Sequence, residues 1–138
     1  MKKNFKYILG IQCFASMDSG ACIIKVDYEK NDYDYVAISE ERLIRKKYPY
    51  TFPLHSIKYC MKHFNIQKLN HIDLLVSDII REPVWHRSGP SYNVQEFDYI
   101  KSLLNFPEKK IIQINHHLAH AASVYYTSGF KDSAILIV

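Results

Sequence analysis

Three short apolar runs open the chain: Tyr7 to Phe14, Ala21 to Asp27 and Tyr35 to Ile38. Each is rich in Ile, Val, Tyr or Cys and too short for a helix. Ser16-Met17-Asp18-Ser19-Gly20 supplies the first turn, and Tyr28 to Asp34, crowded with Asp, Asn and Lys, the second. An antiparallel three-stranded meander is expected. Pro53 then opens a helix, where its missing N–H is harmless, and Leu54, Ile57, Met61 and Phe64 form one apolar stripe as far as about Asn65. Ile72 to Ile80 reads as a buried strand. Arg81 to Val94, with Pro83, Gly89, Pro90 and the lone Trp85, reads as a long loop. A helix over Gln95 to Leu104, a strand over Lys110 to Asn115, a helix over His116 to Ser128 and a strand over Ser133 to Val138 complete the order βββ-α-β-α-β-α-β, a mixed α/β class.

A chain of 138 residues buries enough surface to fold without a disulfide or a metal staple. Its four glycines, Gly10, Gly20, Gly89 and Gly129, are too scattered to write a P-loop or a G-x-G-x-x-G fingerprint. The formal charge of +4, with acids mixed among bases, is too mild to argue for nucleic acid. Cys13, Cys22 and Cys60 are odd in number and lack C-x-x-C spacing, which fits a reduced, cytoplasmic setting. Lys2, Lys3 and Lys6 precede an apolar run, but Gln12 interrupts it and no small-x-small cleavage site follows, so export is not expected. No stretch of about 18 apolar residues is present to cross a membrane.

The densest chemistry is Asn115-His116-His117-Leu118-Ala119-His120-Ala121-Ala122-Ser123, which holds three of the seven histidines. On a helix, His116 and His120 project from one face at the spacing by which two imidazoles share a metal, and His117 points elsewhere. Leu118 and Ala119 exclude an H-E-x-x-H peptidase. The alternative is that these histidines cap the helix and pack against the sheet, the commoner role of an arbitrary histidine pair. A second block, Ser39-Glu40-Glu41-Arg42-Leu43-Ile44-Arg45-Lys46-Lys47, offers forked arginine contacts to an anion, with Glu40 and Glu41 orienting the arginines. It also reads as a solvated, charge-balanced loop. Asp18-Ser19-Gly20 is a third candidate, either an anion-facing turn or an ordinary one. Trp85 and His86 in the long loop are available to a ligand. Ser123, Cys13 and Cys60 show no base partner for nucleophilic catalysis.

Taken in order, these blocks resemble the amino-terminal part of the O-carbamoyltransferases of the nodulation and antibiotic-tailoring type. The matching residues are Ile8-Leu9-Gly10-Ile11, Asp18-Ser19-Gly20-Ala21-Cys22, the Ser39 to Lys47 block with Phe52-Pro53, Ile57 and Tyr59-Cys60, and the His116 to Ser123 block with Tyr126 and Ser128-Gly129-Phe130. The fold implied is a ribonuclease-H-like, actin-like first lobe over residues 1–132. Residues 133–138 are then the first strand of an absent second lobe. Relatives with a similar lobe include hydrogenase-maturation carbamoyltransferases and tRNA threonylcarbamoyl synthases.

The resemblance implies that carbamoyl phosphate and ATP give a carbamoyl-adenylate, whose carbamoyl group passes to the hydroxyl of a small molecule. It implies His116 and His120 as ligands of Fe or Zn, acting as a Lewis acid, with His117 beside them facing substrate. Arg45, Lys46 and Lys47 are implied as anion contacts, and Asp18, Ser19 and Gly20 as the phosphate-facing turn. Two local departures stand out: Met17 occupies a place where many relatives carry histidine, and the second hairpin is long. The family's Asp-Gly-x-Gly segment, second lobe and adenylate-forming domain have no counterpart here. The expectation is therefore a lobe that is inactive alone, truncated or paired with a second polypeptide, with no nucleic-acid or membrane partner. The alternative is a non-catalytic interaction module.

Overall fold

A computed structural model describes residues 4–13, 19–49, 51–77, 85–86, 89–90 and 101–137. In chain order the elements are β1 (Phe5–Gln12), β2 (Gly20–Asp27), β3 (Asp32–Ser39), α1 (Glu40–Ile44), α2 (Leu54–His63), β4 (Leu74–Ser77), β5 (Trp85–His86), β6 (Gly89–Pro90), α3 (101–104), β7 (Ile111–Gln113) and α4 (His116–Ser128). One five-stranded sheet runs β3-β2-β1-β4-β7. The first three strands form the expected antiparallel meander, while β4 joins β1 and β7 joins β4 in parallel. The class is α/β with a mixed sheet.

The second hairpin is tighter than its composition suggests. Asp27 Oδ1 accepts the N–H groups of Glu29 (3.1 Å) and Lys30 (3.2 Å), a local turn built by a side chain. Asn31 then takes a left-handed φ of 50°, which asparagine tolerates. The turn closes by residue 31, so Asp32 to Asp34 join β3 and pair with Asp27 to Lys25.

Alternation along the strands sends Leu9, Ile11, Ala21, Ile23 and Leu75 to one face, where they pack with Ile57 and Cys60 of α2 and with Leu104 and Phe106. The buried side of α2 is Ser56, Ile57 and Cys60, with Met61 and Phe64 packed against the core. Leu54, expected in that stripe, is 38% exposed.

Several expected boundaries shift. The strand over Ile72 to Ile80 is Leu74–Ser77, and residues 78–80 lie outside the described residues. The expected loop Arg81 to Val94 contains the paired two-residue strands β5 and β6, and its other residues lie outside the described residues, as do 95–100 of the expected helix. Residues 133–137 form no strand. They lie against α4, lining a cavity of about 480 Å³ with His120, Val124 and Tyr125. Among the described residues no helix is long and apolar enough to cross a membrane.

Candidate functional site

β1, β4 and β7 are parallel, so their carboxyl ends share one edge of the sheet, the edge at which α/β sheets place ligands. Helix α4 starts there. Ile114 N–H donates to Ser77 O at 2.9 Å, which ties the entry to α4 to the end of β4. Asn115 caps the helix: its side-chain oxygen accepts from His117 N (2.9 Å) and Leu118 N (3.3 Å). Gly129 closes it with φ of 77°, the left-handed stop that glycine makes without a Cβ penalty.

Because Asn115 provides the cap, the histidines are released from that role. The Nε2 atoms of His116 and His120 lie 3.0 Å apart, with the rings edge to face at 4.5 Å between centroids. At that distance one ring donates its Nε2–H and the other accepts it through a lone pair. The His117 ring stands 6.1 Å from that of His116. Among the described residues no group of three or more His, Cys, Asp or Glu side chains is arranged to hold a metal ion.

A cleft of about 700 Å³ lies on the sheet face opposite α2. Its floor is apolar, with Gly10, Cys22, Ile24 and Val76, and Ala119 of α4 closes one side. Ser19, Ser39, Ser77 and Ser123 are among the residues that line it. Ser19 is 3% exposed, and among the described residues its buried hydroxyl has no hydrogen-bond partner. Of the expected turn, Ser19 and Gly20 therefore line this cleft, and Asp18 lies outside the described residues. His120 lines the neighbouring cavity beside 133–137.

The Ser39 to Lys47 block differs from its sequence reading. It contains the helix α1, and Arg45 ends it in a left-handed conformation with φ of 56°. Glu41 meets the cations as expected, with Lys47 Nζ at 3.4 Å and Arg42 Nε at 3.8 Å. Glu40 does not. It is 1% exposed and turned inward. Its Oε2 accepts from Ser56 N (2.8 Å) and Ser56 Oγ (2.7 Å), and its Oε1 accepts from His55 N (3.1 Å) with His55 Nδ1 at 2.6 Å. A carboxylate only accepts, so His55 holds a proton on Nδ1. Glu40 thus caps α2 from another element. Arg45, Lys46 and Lys47 are exposed and line neither cavity. The side chains of Trp85 and His86 lie outside the described residues.

Sequence reasoning missed Glu40 and Asn115 as structural anchors. Asn115 was detectable as an Asn immediately before a helical run. Glu40 reaches partners 15 and 16 residues away, a separation that no local pattern encodes.

No family model matches the chain, and no solved structure matches it. It is 27% identical to the nodulation protein NolNO of Sinorhizobium fredii over 88% of the chain and 19% of that protein. It is 28% identical to the uncharacterized protein sll1178 of Synechocystis over 94% of the chain and 25% of that protein. The chain spans about a fifth to a quarter of the length of these curated relatives.

Proposed function

We propose that the chain is the first, ribonuclease-H-like lobe of a carbamoyltransferase, holding an iron or zinc ion through His116 and His120. The observation that carries the reading is the convergence of the two Nε2 atoms to 3.0 Å at the sheet edge where α4 begins. The distant likeness to a nodulation protein over most of the chain supports the reaction class. The sheet, an antiparallel meander continued by parallel strands, supports the lobe assignment.

Two adjacent imidazole nitrogens suit two coordination positions of either metal. No third protein ligand stands beside them among the described residues. Bound there, the ion supplies Lewis-acid polarisation of carbamoyl or phosphate oxygens. His117 then faces the substrate. Ser19 and Gly20 line the cleft, and the close backbone approach that glycine allows there suits an acyl-phosphate or adenylate oxygen. Arg42, Arg45, Lys46 and Lys47 supply a cationic approach for carbamoyl phosphate and ATP. A small hydroxyl compound is the acceptor, and transfer is proposed for this lobe acting together with further parts of the kind its longer relatives contain.

Metal analysis after loading with Fe(II) or Zn(II) is the direct test. The chain is expected to retain about one ion, following the mononuclear site assigned, and His116→Ala plus His120→Ala to lose it. Equal content in both rejects the ligands. In a transfer assay with carbamoyl phosphate, ATP and hydroxyl acceptors, the 138 residues alone are expected to turn over little. Robust turnover by them rejects the need for other parts.

A further inference from the structure

We propose that Glu40 is a positioning residue: its backbone and side chain together lock Ser19 and Gly20 at the start of β2, the basic run Arg42 to Lys47 and the amino end of α2 into one unit beside the cleft. Its backbone N–H donates to Ser19 O at 2.8 Å, holding the start of β2. Its carboxylate gathers donors from His55 and Ser56, holding α2. Between these anchors stands α1, a helix of five residues without a side-chain cap. So short a helix does not persist on its own hydrogen bonds. The direction in which Arg42, Arg45, Lys46 and Lys47 leave the fold is therefore set by how Glu40 is held.

Gly20 gives an independent sign that this junction is tight. A Cβ there would stand 3.0 Å from Ile38 O and 3.4 Å from Ser39 Cα, so the start of β2 packs directly on the end of β3 that delivers Glu40. His55 is the titratable group that meets Glu40 from α2, and Glu41 and Arg42 flank it within α1. A carboxylate that served stability alone would support every element equally. One that positions supports its own junction first.

The inference rests on the proposed function only for what the positioned groups meet. Its test uses no ligand, so the two readings fail separately. Amide hydrogen exchange compares the purified chain with Glu40→Gln, which keeps the shape and removes the charge. Exchange at Ser19, Gly20, 42–47 and His55–Ser56 is expected to accelerate about tenfold or more beyond the acceleration that the global loss of stability gives Ile8, Ile23 and Leu75. Uniform acceleration of both sets, or none in either, overturns the proposal. Should Glu40→Gln not fold, the wild-type chain is followed by carboxyl and amide NMR as pH falls. Shifts at Ser19, Gly20 and Arg45 are expected to follow the Glu40 midpoint, and unrelated midpoints overturn the proposal.

Discussion

Glu40 shows how a single charge is made tolerable inside a small domain. Burial pushes its carboxyl upward, but the donors on Ser56 and His55 outweigh that and hold it below the ordinary glutamate value. A folded-state pKa below the unfolded one means that the unfolded chain binds the proton more readily. The resulting stability is present above about pH 4.3, the ordinary value, and is lost as pH falls through the lower folded value. Urea unfolding from pH 6 downward is expected to show this loss in the wild type. Glu40→Gln is expected to begin less stable by about 1.5–3 kcal/mol, the range for hydrogen bonds to a charged group, and to lack this acid-dependent component. Cys60 illustrates the opposite outcome. Burial, then the neighbouring Cys22, pushes its thiol up to about 11, against smaller backbone hydrogen bonds. The nucleophilic thiolate is scarce at pH 8. Iodoacetamide at that pH is expected to leave Cys60 unmodified in the folded chain and to alkylate it once urea unfolds the protein.

At the scale of elements, α4 is a helix whose two ends are written into the sequence. Asn115 satisfies two amino-terminal N–H groups and Gly129 turns the chain at the other end. Asn115→Ala is expected to cost about 1 kcal/mol, read from urea unfolding, with far-UV circular dichroism reporting any loss of helix. The His116 and His120 pairing follows from the same regularity, because i and i+4 share a helical face. The meander was equally legible, since runs of Ile, Val and Tyr too short for helices alternate with turn residues. Other elements were hidden for definite physical reasons. Helix α1 has no periodicity to detect in five residues, and the tertiary hydrogen bonds of Glu40 hold it. The first half of β3, Asp32-Tyr33-Asp34, has a loop composition because it lies on an edge strand, where polar side chains are admissible. Residues 133–137 carry strand propensity without a strand partner among the described residues, and propensity alone does not form a ladder.

At the scale of the whole molecule, the two faces of the sheet do different work. One carries the core, closed by α2 and by Leu104 and Phe106. The other carries the cleft, with Ala119 and Ser123 of α4 at its side. Ile23 and Ile24 are adjacent on β2 yet belong to opposite faces: Ile23 is fully buried, and Ile24 is half-buried in the cleft wall. Shortening the first leaves a cavity among close-packed side chains, whereas shortening the second widens a space that is already open. Ile23→Ala is therefore expected to cost about 2–5 kcal/mol and Ile24→Ala about 1 kcal/mol or less, both measured by urea unfolding with a common slope. Equal costs would mean that the cleft face is packed as tightly as the core. The proposed ligand would then have no room beside Ser19, and the site would reduce to the histidine pair.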